Sequence, residues 1–258
     1  MIWDEDYFYF GTKMEEPHVW ATLTERDAVI FKDNDFEIFL DPDGDTHNYY
    51  ELEVNAFETE WDLMLLMPYH DGSNVALDSW DIPGLITKVH VDGTINNPSD
   101  KDRGWSVEIA IPWIAFSGNF RSNNYPKDGE DWKVNFSRVH WETDIVNGKY
   151  VKKDKPEFNW VWSPQGLISM HMPERWGLVR FKEKRRKEKN NLFTSSIDNA
   201  RWAIRQIYYY QGNYFLKNNK YATSADELGL GKSPVKNIYW DPQIYITPSG
   251  WEASITNN

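Results

Sequence analysis

The chain has 258 residues and no cysteine, with 28 basic and 40 acidic side chains and a formal charge of −12. The missing thiols exclude a disulfide framework and a thiolate metal centre, and the acidic surplus repels nucleic-acid backbone and anionic membrane. Aromatic residues make up 16% of a chain whose mean hydropathy is −0.69, so many rings must lie in partly polar surroundings, although core packing is the plainer use of any single ring.

No apolar run approaches the ~20 residues of a membrane helix. The start, Met1-Ile2-Trp3-Asp4, has no basic region and no apolar stretch, so no signal peptide is visible in it. Tyr7-Phe8-Tyr9-Phe10 begins a strand almost at once without an earlier partner, which points to a trimmed N-terminus. Strands are expected at about 6–13, 35–41, 48–56, 60–67, 85–92, 104–112, 131–141, 158–163 and 177–182, separated by clusters of Gly, Pro, Asn and Asp. The clearest is Gly104 to Pro112. Trp105, Val107, Ile109 and Ile111 alternate with Ser106, Glu108 and Ala110, and Pro112 removes a ladder donor. Many short strands without intervening helices make the chain mainly β, an antiparallel β-sandwich over residues 1–182 with a small C-terminal α+β appendage.

Charge marks the boundary, since residues 1–182 carry a net −16 and residues 183–258 a net +4. Residues 183–194 read as a basic linker or helix start. Residues 195–258 read as a helix-plus-hairpin region resembling the layout of pilin-like folds. Ala200, Ile204, Ile207, Tyr208 and Gln211 follow helical spacing, Ser196 or Asp198 is placed to cap the helix, and Ala222 to Gly229 looks like a capped short helix. Ile238-Tyr239-Trp240 and Ile244-Tyr245-Ile246 suggest the two strands of the hairpin.

Asp41, Asp43 and Asp45 alternate around Gly44 directly after a strand, and hard oxygen ligands converging in a loop suit calcium. An Asx-type turn without metal explains the same residues. The six histidines, at 18, 47, 70, 90, 140 and 171, stand singly without zinc or iron spacing, and His171 between two methionines leaves an axial haem ligand as a remote alternative. There is no nucleophile elbow, phosphate loop or dinucleotide fingerprint. A glycan-active hydrolase using Glu37 and Glu53 as a carboxylate pair on neighbouring strands is the alternative to binding without chemistry.

Six segments, around Trp3 to Phe10, Asn34 to Asp41, Tyr49 to Asn55, Trp105, Trp132 and Trp176, resemble in their order the bacterial proteins of carbohydrate-binding module family 9. The resemblance implies a β-sandwich, structural calcium, export from the cell and a bound oligosaccharide or polysaccharide. It also implies that Glu37 contacts sugar. Two tryptophans that hold the sugar in that family fall here at Phe31 and Met170, and Glu53 stands where an arginine is expected. Rings outside the strand interiors are Trp20, Trp61, Trp80, Trp141, Trp160 and Trp162. Trp160 and Trp162 share a face at period 2, with Asn159 and Gln165 nearby, and Trp141 follows Arg138 and His140. The expected sugar contacts are Phe31, Glu37, Glu53, Arg138, Trp141, Asn159, Trp160 and Trp162.

Overall fold

The computed structural model describes residues 1–117, 125–166, 169–183 and 196–256. The chain divides into two compact units, 1–185 and 186–258. Of the basic stretch at 183–194, all but Glu183 lies outside the described residues.

The first unit contains β1 (Ile2–Trp3), β2 (Tyr7–Glu15), β3 (Asp35–Asp41), β4 (Tyr49–Asn55), β5 (Glu60–Leu65), β6 (Ala76–Leu77) and β7 (Ile86–Asp92). It continues with β8 (Gly104–Pro112), β9 (Asp131–His140), β10 (Thr143–Val146), β11 (Lys149–Lys152), β12 (Phe158–Val161) and β13 (Gly177–Arg180). Every strand expected from alternation is present within two residues at each end. The additional β10–β11 hairpin turns at Asn147 and Gly148, both at positive φ, which is the Asn-Gly signal of a two-residue hairpin loop. Its strands have no buried face, so alternation did not disclose them.

One antiparallel sheet has the order β1-β2-β8-β7, and the other β12-β9-β3-β4-β5-β6. The ten-residue β9 is long enough to pair with two strands in succession along one edge, β12 at residues 137–140 and β13 at residues 131–134. Between the sheets, Phe8, Phe10, Trp105, Val107 and Ile109 pack on Phe36, Ile38, Leu40, Leu52, Val54 and Trp132. Burying such a layer drives the sandwich together, each large apolar side chain being worth about 1.5–3 kcal/mol.

The outer face of the larger sheet is buried as well. Ile30, Phe39, Tyr49, Trp61, Leu63, Leu65 and Trp176 form a second apolar cluster there, joined by Leu23, Val29 and Met170. Strands β3 and β4 are consequently buried at every position. Their acidic side chains, which look from sequence like a solvated strand face, are enclosed.

The second unit contains α1 (Ser196–Asn218), β14 (Gln243–Thr247) and β15 (Gly250–Ser254). Two expectations need correction here. Ala222 to Gly229 forms turns rather than a helix, because hydrogen bonds from the Leu228 and Gly229 N–H to Ala225 and Asp226 close a single turn and Gly229, at φ 73°, ends it. The hairpin partner of β14 is β15, not Ile238 to Trp240. Trp240 is instead drawn to the apolar cluster of Ile207, Ala222, Leu228 and Leu230, its indole N–H donating to the Leu230 carbonyl at 2.7 Å. No helix among the described residues is long and apolar enough to cross a membrane.

Candidate functional site

Two places on the larger sheet hold most of the expected sugar contacts. The first is the edge strand β12. Phe158, Trp160 and, just beyond the strand, Trp162 project from one side, with 46%, 52% and 51% of their surfaces exposed. Same-face residues on an extended strand lie about 6.7 Å apart, and the Phe158 and Trp160 ring centroids are 6.5 Å apart with planes 24° from parallel. The result is a row of three half-exposed rings. Phe158 was missed in the sequence reading, although Phe158-x-Trp160-x-Trp162 carries the period-2 signal.

The two indoles are held from beneath. Trp160 lies opposite Arg138 across the β9–β12 ladder, with the guanidinium carbon 5.0 Å from the ring centroid, and His140 stacks on it at 5.4 Å and 12°. Arg138 is itself fixed by Glu16 at 3.1 Å and by the Glu15 carbonyl, so it supports the ring rather than offering a free cation. Trp162 continues the ladder through an N–H bond to the Phe136 carbonyl. Its six-membered ring lies over Gly177 so closely that a Cβ there would stand 2.5 Å from Cζ3. Only glycine permits that approach where β12 ends and β13 begins.

Asn159 does not join the row. Strand alternation puts it on the opposite face of β12, its register partner being Val139. Gln165 is buried. Trp141 is elsewhere too, its indole donating to the Phe31 carbonyl at 2.8 Å while Lys152 covers its ring at 3.8 Å. Trp20 and Trp61 are buried.

The second place is the outer face of β3 and β4. Glu37 and Glu53 are direct cross-strand partners, 3% and 2% exposed, with Asp35 and Glu51 beside them. The Phe31 N–H donates to Glu53 Oε2 at 2.7 Å. Phe31 remains partly exposed, its ring 6.5 Å from that of Trp61. Burial pushes the Glu37 carboxyl up to about 7, the Ser137 hydroxyl acting the other way. Burial, and then the neighbouring carboxylates, hold Asp35, Glu51 and Glu53 well above the usual carboxylate range. His171 shares its Nδ1 with the Tyr49 hydroxyl at 2.9 Å, and burial drops its pKa to about 3. It is therefore neutral and supplies no counter-charge to Glu51, 3.8 Å away. Glu37 and Glu53 thus lie level with one another across the ladder, both enclosed.

The acidic turn forms a third group. Asp41, buried at the end of β3, accepts the Gly44 and Thr46 N–H groups, while Asp43 and Asp45 accept those of Asp45 and His47. One oxygen from each of the three carboxylates lies within 4.8 Å of the others. Burial and then Asp43 push Asp41 up to about 8.

The profile of the Carbohydrate family 9 binding domain-like family matches residues 1–137, from β1 into β9. The chain belongs to this family. Membership supports carbohydrate binding and a sugar ligand; the ring row at 158–162 lies beyond the matched span. A solved structure from Bacteroides uniformis, proposed to be a carbohydrate-binding protein, is similar at 20% identity and a TM-score of 0.48, over 69% of this chain and 74% of that one. A search among curated proteins found no significant match.

Proposed function

We propose that the first unit is a non-catalytic carbohydrate-binding module of an exported bacterial protein, holding a polysaccharide chain along the ring row of β12. The observation that carries this reading is the alignment of the half-exposed Phe158, Trp160 and Trp162, the two indoles held in place from beneath. Sugar rings present apolar C–H faces edged by hydroxyls, and flat aromatic rings match those faces. A row of three favours successive sugar units of an extended chain over a single chain end. The enclosure of Glu37 and Glu53 favours binding without hydrolysis.

Calcium fits the acidic turn on its donor set, three converging carboxylates of which Asp41 is buried with its neighbours' charge uncompensated. Asp41, Asp43 and Asp45 would hold the ion. Its contribution would be structural, tying the loop to the end of β3.

The test is a panel of soluble polysaccharides followed by tryptophan fluorescence and calorimetry. Binding of at least one glycan, with the fluorescence shift lost in Trp160→Ala and the fold retained by circular dichroism, is the expected result. A panel without binding, or a Trp160→Ala/Trp162→Ala variant that binds as wild type, defeats the reading. Release of reducing sugar by wild type would defeat its non-catalytic part.

A further inference from the structure

Three groups of three acidic side chains converge among the described residues, and they are handled differently. At Asp27, Asp62 and Asp81 the Arg26 guanidinium sits among the carboxylates, 3.8, 2.5 and 3.0 Å from them. At Asp41, Asp43 and Asp45 the acids accept the backbone N–H groups of their own turn, and two of the three are exposed. At Asp35, Glu37 and Glu53 all three side chains are buried, at 0%, 3% and 2% exposure, and no described Lys, Arg or His forms an ion pair with any of them.

Two of their oxygens, Asp35 Oδ2 and Glu37 Oε2, have no hydrogen-bond partner. The remaining bonds orient the group: the Val139 N–H holds Asp35 Oδ1 at 3.2 Å and the Phe31 N–H holds Glu53 Oε2 at 2.7 Å. Three other buried acids of this unit are satisfied. Asp33 accepts from the Thr22 and Leu23 N–H groups, the Thr22 hydroxyl and the Asn55 amide, and Glu16 from Trp105, Asn34 and Arg138. Asp102 takes the Val19 and Thr94 N–H groups. An enclosed anionic group without partner or counter-charge is strongly disfavoured. The strand register makes the cluster a rigid one, since Glu37 and Glu53 are cross-strand partners and Asp35 is the next same-face residue of β3.

We infer that Asp35, Glu37 and Glu53 form an internal binding site for a hard divalent cation of the calcium type, distinct from the acidic turn. Carboxylate oxygens are the ligands such ions prefer, and one oxygen from each residue lies within 4.8 Å of the other two. Asp35 Oδ2 supplies a ligand atom that nothing else uses, and Glu37, beside the Ser137 hydroxyl, supplies a second at Oε2. An ion here would tie β3 to β4 beneath the second apolar cluster and lock the sheet that carries β9 and β12.

The test reads metal and not sugar, so it stands or falls independently of the proposed glycan binding. The full chain is stripped with chelator, titrated with calcium by calorimetry and assayed for bound calcium by mass spectrometry after gel filtration. Glu37→Gln/Glu53→Gln, which keeps shape and removes charge, should bind one equivalent fewer than wild type, whereas Asp43→Ala should keep that equivalent. Equal stoichiometry in wild type and the double variant, or no calcium on wild type, overturns the site and leaves a cluster neutralised by protons. Should the double variant not fold, wild-type crystals grown with manganese decide: an anomalous peak among the three carboxylates supports the site, and a map without one refutes it.

Discussion

Gly177→Ala separates the positioning of Trp162 from its mere presence. An added Cβ would stand 2.5 Å from Trp162 Cζ3, 2.9 Å from Cη2 and 3.3 Å from Cε3. Carbon atoms settle at about 3.5–4.0 Å, so the ring must retreat by about 1 Å or more. It can do so because half its surface is open. Gly177 does not occupy the positive-φ region, and its place in β13 opposite Val134 suits alanine. Loss of chain entropy in the unfolded state favours alanine by about 0.4–1 kcal/mol, offsetting part of the ring's lost packing. Stability should therefore change by no more than about 1 kcal/mol, a few degrees in Tm for a unit of this size. Binding should suffer more. If a well-placed ring contributes about 1–2 kcal/mol, glycan affinity falls roughly 5- to 30-fold. Calorimetry against the glycan found in the panel, with thermal denaturation alongside, measures both. Gly177→Ala/Trp162→Ala should bind no worse than Trp162→Ala alone, because the two changes act through one ring. Wild-type affinity in Gly177→Ala, or additive losses in the double variant, would refute the reasoning.

Other expectations bear on the core, the turn and the buried histidine. Trp105→Phe removes the indole bond to Glu16 Oε2 at 2.8 Å and leaves a void between the sheets, so urea denaturation should show a loss of about 2–4 kcal/mol; a change under 1 kcal/mol would mean that Glu16 finds full compensation. If the acidic turn holds calcium, chelator should lower the Tm of wild type, by the equivalent of about 2.7 kcal/mol from a hundredfold excess over Kd, and Asp43→Ala should shrink that shift; identical shifts would exclude the turn. His171 has a folded pKa of about 3 against 6.5, so the unfolded state takes up the proton first and stability is lost as pH falls from about 6.5 toward 3. The slope is at most about 1.4 kcal/mol per pH unit, less what partial solvent contact screens. The raised carboxylates on the same face act with the opposite sign over part of this range, so the readout is the difference between wild type and His171→Gln. Parallel profiles for the two proteins would show that His171 titrates normally.

Much of the ring row could be read in advance, because period-2 spacing alone puts Trp160 and Trp162 on one side of a strand and Asn159 on the other. Grouping Asn159 with the rings ignored that alternation, and Phe158 was overlooked despite obeying it. Gln165 and Trp141 were misplaced for a different reason. Neither position carries a local signal of what folds over it, and Trp141 is covered by Lys152 from a hairpin that alternation did not reveal.

Local pattern was enough to establish the nine principal strands, the face on which each apolar side chain lies, and the family to which the first unit belongs. These follow from the two-residue period of an extended chain and from the order of short aromatic motifs, both of which are local properties. The state of the acidic residues is not local. Glu37 between Phe36 and Ile38, and Glu53 between Leu52 and Val54, are assigned by alternation to the face away from the main core, yet nothing near them in the chain says whether that face meets water. Segments 23–30 and 170–176 close over it and make it a second interior. The antiparallel register brings Glu37 level with Glu53, and the meeting of β12 and β13 on β9 sets Gly177 under Trp162. Proximity and dielectric surroundings arise only when distant segments pack, and they turn acids that look like an ordinary strand face into an enclosed cluster.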